Sequence, residues 1–174
     1  MNVRDLMTQD VKRCRSHDSL DVAASLMWSA DCGCVAVVDE AGRVAGMLTD
    51  RDICMAALTQ AAPLSQLRAE SAMAREVHWC EPEDTLLIAL DKMRINQVRR
   101  LPVVDNDGSL VGIISLNDLI RETTRKRPNK VKTGLTAAGV NQTLAAVCEP
   151  RTTDASDHEP PPEASVHELP PSLG

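Results

Sequence analysis

The segment Gly46-Met47-Leu48-Thr49-Asp50-Arg51-Asp52 returns 66 residues later as Gly112-Ile113-Ile114-Ser115-Leu116-Asn117-Asp118. The same register holds without a gap over most of the chain, pairing Met7 with Met73, Val11 with Val77, Cys14 with Cys80, Leu20 with Leu86, Met27 with Met93, Val37 with Val103 and Asp39 with Asp105. One fixed offset sustained this far means a duplicated unit, and two copies point to a pseudo-twofold pair rather than an open solenoid.

Each copy reads the same way. A short extended piece, Val11–Cys14 or Val77–Cys80, leads to helix-start residues and then to apolar positions Leu20, Ala23, Ala24, Met27 or Leu86, Ala89, Leu90, Met93. That i, i+3, i+4, i+7 spacing predicts one buried helical face. The apolar runs Val35–Val38 and Leu101–Val104 read as buried strands. Ala41-Gly42 or Asp107-Gly108 then turns each chain into a second strand, Arg43–Leu48 or Ser109–Ile114, making a hairpin. Thr49 or Ser115 opens a second helix, expected to carry Ile53, Ala57 and Leu58 or Leu119 and Ile120 inward.

The fold class is therefore α/β (α+β), with strand, helix, strand, strand, helix in each copy. In order and spacing the residues over about Val3–Thr124 resemble the CBS domain, named after cystathionine β-synthase, in its tandem form, the Bateman module. We divide the chain into repeat 1 (residues 1–59), a connector (60–71), repeat 2 (72–127) and a tail (128–174). The resemblance implies two repeats packed through their sheets with pseudo-twofold symmetry, two related clefts that hold adenine nucleotides in many relatives, and a homodimer.

The chemistry concentrates at the two strand-to-helix junctions. Gly46 and Gly112 leave room for close backbone approach, and Thr49 and Ser115 stand where a helix has unpaired N–H groups. A hydroxyl there can donate to a phosphate, and Asp52 or Asp118 three residues on can accept from a ribose. The same pattern is a capping box, which explains the residues without any ligand. The family resemblance implies phosphate and ribose contacts at these positions. Arg51 adds charge to the first junction, where the second has neutral Asn117, with Arg99 and Arg100 as compensating cations. Lys12 and His78 occupy matching places and are further phosphate candidates. With no Phe or Tyr in the chain, apolar walls at Val11 and Val35, or Val77 and Leu101, are expected to hold the base; Pro102 stiffens the second strand entry where the first has Ala36.

No cofactor is required by this reading, and no catalytic or metal site is assigned. The expected ligand is AMP, ADP or ATP, with NAD, S-adenosylmethionine or a cyclic dinucleotide as alternatives, and the effect is passed to an unidentified protein partner. A ligand-free dimerisation module is the rival class. Cys32-Gly33-Cys34 suggests a thiol or metal sensor, but no second cysteine pair accompanies it, and a reduced pair entering a strand is the expectation. Walker, dinucleotide and nucleophile-elbow motifs are missing from the sequence, so no enzyme is predicted.

The net charge of −6 argues against a dedicated nucleic-acid binder, although Arg121, Arg125, Lys126, Arg127, Lys130 and Lys132 form a local basic cluster. From Pro150 onward six prolines and five acidic residues predict a disordered tail. No apolar run is long enough to span a bilayer, and the N-terminal residues lack signal-peptide character, so a cytoplasmic protein with reduced thiols and no membrane contact is expected.

Overall fold

The structure, a computed structural model, describes residues 1–125 and 134–150. Repeat 1 contains β1 (Arg13–Arg15), α1 (Leu20–Ser29), β2 (Cys34–Val38), β3 (Val44–Thr49) and α2 (Asp50–Gln60). Repeat 2 contains α3 (Leu86–Ile95), β4 (Arg100–Val104), β5 (Leu110–Ser115) and α4 (Leu116–Thr124), followed by α5 (Ala137–Cys148).

In repeat 1, β1 runs parallel to β2, and β2 is antiparallel to β3. Repeat 2 keeps the β4–β5 hairpin, but its expected first strand shrinks to a single parallel bridge between Cys80 and Val103. The cause is Pro102. Its counterpart Ala36 donates its N–H to Lys12 O at 3.3 Å, and proline has no N–H to give, so the ladder loses one end. Both hairpins are built alike, with a register shift at Val37/Val38 and at Val103/Val104. At their tips Gly42 and Gly108 take φ of +80° and +79°, a region that favours glycine. Asp39 accepts N–H bonds from Ala41 and Arg43, and Asp105 does the same for Asp107 and Ser109, all between 2.9 and 3.0 Å. The Arg43 backbone, followed by its guanidinium, holds the Asp39 carboxyl below the usual range.

Burial follows the strand period of two. Val35 and Val37 pack with Leu20, Ala23, Met27, Leu48 and Ile53 in the core of repeat 1, while Ala36 and Val38 face Leu110 of repeat 2. Leu101 and Val103 sit in the second core with Leu86, Met93, Ile114 and Leu119. On α2, Ile53 and Ala56 are buried and Leu58 is exposed, which corrects the inward placement of Leu58.

The repeats exchange their leading segments. A 3-10 turn at Val3–Asp5 opens repeat 1 in sequence, yet Val3 lies in the core of repeat 2, and its counterpart Ala69 lies in the core of repeat 1. The bridges come in symmetry-related pairs: Asn2 with Thr85 and Arg68 with Ser19, then Thr8 with Ile113 and Ala74 with Met47. At the pseudo-axis, Arg43 bridges its own counterpart Ser109.

A tail starting at residue 128 needs correction. Within it α5 packs on α3 and α4, burying Val140, Thr143 and Val147, and Thr136 caps it by accepting from Gly139 N–H at 3.0 Å. Lys126, Arg127, Lys130, Lys132 and residues 151–174 lie outside the described residues. Among the described residues no helix is long and apolar enough to cross a membrane.

Candidate functional site

Both junctions form closed hydrogen-bond rings. Thr49 Oγ1 donates to Asp52 Oδ2 at 2.7 Å and accepts from Asp52 N–H at 3.3 Å, while Thr49 N–H donates to the same Oδ2 at 2.8 Å. Ser115 and Asp118 repeat the ring at 2.5, 3.3 and 2.9 Å. Each is a complete capping box, with the helix's first orphan donors satisfied and a carboxylate at its positive pole. The rings are partly buried and leave Oδ1 of each aspartate outside them.

The two Oδ1 atoms differ in company. Arg121 Nη1 stands 3.9 Å from Asp118 Oδ1, and the matching position on α2 is Met55. Among the described residues, an incoming hydroxyl meets a guanidinium paired with Oδ1 only at the second junction. Arg51 and Asn117 are both exposed.

Arg100 does not serve the second junction as the sequence suggested. A Cβ placed on Gly33 would lie 3.5 Å from Arg100 Nη2 and 3.3 Å from Asp50 Oδ2, so the Arg100 guanidinium reaches across to the first repeat, beside the start of α2. Arg99 turns the other way, its Nη2 lying 4.0 Å from Cys148 Sγ at the end of α5. Lys12 pairs with Asp10 at 2.8 Å and His78 lies 3.9 Å from Glu76. Val11 is half-buried between the sheets against Ala36, Val38 and Leu110. Val35 and Leu101 are fully buried in the two cores and cannot wall a base, because the strand alternation turns them toward the helices. Pro102 is buried on the alternate face.

Gly46 and Gly112 have a use the sequence did not reveal. A Cβ on Gly46 would come 2.6 Å from Met73 Sδ and 3.0 Å from Ala74 O, and one on Gly112 would come 2.5 Å from Met7 Sδ and 3.2 Å from Thr8 O. The space beside each glycine is filled by the opposite repeat's leading segment.

Two cavities stand out. One of about 640 Å³ opens between β3 and the hairpin of repeat 2, with Val77, Trp79, Arg43 and Arg75 in its wall. Lys92 Nζ sits 5.3 Å from the Trp79 ring centre. The other, about 420 Å³, is a groove between α1 and α2 beside Trp28, which is 90% exposed and thus does not pack against the described residues. Neither is lined by Thr49, Asp52, Ser115 or Asp118.

The thiols divide by burial. Burial, reinforced by Asp18 and by Asp84 respectively, pushes Cys14 up to about 11 and Cys80 up to about 12; burial also raises Cys34, which Arg100 partly offsets. Since the thiolate is the nucleophile, alkylation at neutral pH is expected at exposed Cys54 and Cys148, with Cys14 and Cys80 reacting only in denaturant. Peptide mapping after brief iodoacetamide treatment checks this, and equal labelling of all four would contradict it. Among the described residues no group of three or more His, Cys, Asp or Glu could hold a metal ion.

The CBS domain profile matches residues 3–59 and 69–124. The CBS domain-containing protein YhcV of Bacillus subtilis is 37% identical over 118 residues, covering 68% of this chain and 82% of that protein. Two solved structures align over 70% of this chain and 98% of their own. The CBS domain pair of protein MJ0100, in complex with 5′-methylthioadenosine and S-adenosyl-L-methionine, is 26% identical with a TM-score of 0.63. Hypoxic Response Protein I, with two coordinated zinc ions, is 30% identical with a TM-score of 0.64.

Proposed function

Since the chain belongs to the CBS-domain family and carries two tandem copies of the domain, we propose that it is a non-enzymatic regulatory module that binds an adenosine-containing ligand at its junctions. One observation carries the reading: the hydroxyl–carboxylate pair is built twice in matching geometry, in a chain similar to a CBS pair solved with two adenosine-containing ligands. AMP, ADP or ATP is the preferred ligand, bound with its ribose at the aspartate Oδ1 and its phosphates toward cationic side chains. Thr49, Arg51 and Asp52 make the stronger site, with Arg100 adding charge from the opposite repeat, and Arg121 weakens the one at Ser115, Asn117 and Asp118. Lys12 and His78 remain candidate phosphate contacts. The protein acts as a cytoplasmic homodimer that alters a partner's state, which requires that the ligand bind two conformations with different affinity.

The closed rings favour a second reading, a ligand-free interaction module in which both pairs are only helix caps. Thermal unfolding with a panel of adenosine compounds separates the two. At about 100 times the dissociation constant, a ligand of the native state adds roughly 2.7 kcal/mol, or about 5–10 °C in Tm at this size. No shift with any compound would sink the ligand reading.

Asp52→Ala and Asp118→Ala are each expected to cost about 1 kcal/mol through the lost cap. Asp52→Ala should in addition remove most of the ligand-induced shift, and Asp118→Ala should reduce it less. Equal destabilisation with an undiminished shift in both variants would assign the rings to capping alone.

A further inference from the structure

Pseudo-symmetry relates the 420 Å³ groove of repeat 1 to a groove in repeat 2 that is already filled. Ala24, Trp28, Asp31 and Ile53 correspond to Leu90, Arg94, Gln97 and Leu119. On repeat 2 that surface seats α5: Val140 joins the core with Leu90 and Leu119, and Gln97 Nε2 donates to Ala146 O at 3.1 Å. Among the described residues nothing fills the matching seat on repeat 1, and Trp28 stands at its rim.

The helix that fills one seat is itself unusual. Its twelve residues, Ala137–Cys148, include no Asp, Glu, Lys or Arg. Val140, Thr143 and Val147 face inward, while Ala138, Asn141, Leu144, Ala145 and Cys148 are exposed, with Leu144 39% accessible. An exposed helical face without charge is the composition of an interface centre rather than of a solvated surface.

We propose that the outer face of α5 docks into the α1/α2 groove of a second copy of this chain, so that each α5 is held between its own repeat 2 and the other copy's repeat 1. Under a twofold axis the contact occurs twice and closes on itself, giving a dimer and not a fibre. Duplication of the seat is also how contacts one helix long add up to the roughly 1,200 Å² that stable interfaces need. The lengths agree, since α5 extends about 18 Å and α1 about 15 Å.

Charge fixes the direction. In repeat 2 the carbonyl end of α5 lies at Gln97 and Arg99, a cation suited to that pole. The corresponding end of the open groove carries Asp31 and Asp50, with Arg100 beside Asp50, so Asp31 suits the positive, amino end of the incoming helix. The incoming α5 therefore runs opposite to the resident one.

This inference rests on the dimeric part of the proposed function and is independent of the ligand. Sedimentation velocity of the full chain at micromolar concentration, with Trp28→Arg and Leu144→Glu, tests it; circular dichroism confirms folding of each variant, which exposure at both sites favours. The wild type is expected to be a dimer, and each variant to raise the dissociation constant about 30-fold or more. Mixing the two variants should restore a dimer, because one seat then pairs Arg with Glu and the other is native. A monomeric wild type would overturn both the dimer and this interface. A wild-type dimer insensitive to both variants, or variants that stay monomeric when mixed, would overturn the interface alone. Should Leu144→Glu fail to fold, Ala145→Glu on the same exposed face replaces it.

Discussion

Val3→Asp is expected to unfold repeat 2 and leave most of repeat 1 comparatively intact, although Val3 belongs to repeat 1 in sequence. Val3 is fully buried in the second core together with Leu86, Leu101 and Ile114. A carboxylate there would have no partner and no water, a loss on the order of 4 kcal/mol. That is a large share of the 5–15 kcal/mol that typically holds a domain together. Ala69→Asp is the mirror experiment, since Ala69 is fully buried with Leu20 and Val35 in the first core. Native-state hydrogen exchange should show loss of protection in α3, β4 and β5 for the first variant and in α1, β2 and β3 for the second. Loss of protection in the repeat nearest in sequence would refute the exchange of leading segments.

Gly46→Val and Gly112→Val should each destabilise by about 3 kcal/mol, and the damage should be coupled to a methionine in the opposite repeat. A Cβ alone would already come within 2.6 Å of Met73 Sδ or 2.5 Å of Met7 Sδ, with backbone carbonyls at 3.0 and 3.2 Å behind them. The sulfur can swing aside; the carbonyl oxygens of Ala74 and Thr8 cannot move without breaking their bonds to Met47 and Ile113. Overpacking of this kind typically costs 1–3 kcal/mol and more when backbone must shift. A cycle of Gly46→Ala with Met73→Ala reads the contact directly. The double variant should lose less than the sum of the singles, by about 1 kcal/mol, because the smaller side chain vacates the space the new methyl takes. Strict additivity in denaturant titrations would mean that the glycine is needed for something other than this contact.

The sequence made a good part of this structure readable, for a physical reason in each case. The register of 66 residues exposed the duplication, and the Leu20/Met27 and Leu86/Met93 spacings located two helical faces. The capping boxes were visible because hydroxyl and carboxylate stand three apart. What stayed hidden depends on which copy a segment packs against. A repeat pattern is identical whether Val3 closes its own core or its neighbour's, so the exchange left no trace in the register. For the same reason the sequence shows that Gly46 and Gly112 allow close approach but not that Met73 and Met7 are what approaches.

Two misplacements at the site had clearer signals. Val35 and Leu101 alternate with Ala36 and Pro102 along their strands, and period two alone would have turned them away from any cleft. Arg100 aligns with Cys34, yet its long side chain crosses to Gly33 and Asp50, a reach that alignment within one repeat cannot anticipate. The helix α5 has a signal of its own in the sequence: prolines and acids dominate only from Pro150, and Val140, Thr143 and Val147 follow helical spacing before it.

The crossed leading segments bear on what the connector between the repeats contributes. A polypeptide with one repeat would carry a leader with no core of its own to enter and a core lacking its leader. It could satisfy both only by trading leaders with a twin, and its folding would then depend on protein concentration. Joining two such units in one chain makes the trade intramolecular, at the effective concentration a short tether supplies, commonly in the millimolar range. The paired bridges at Asn2/Thr85 and Ser19/Arg68 are thus the seams of what would otherwise be an obligate assembly, sewn into a single molecule.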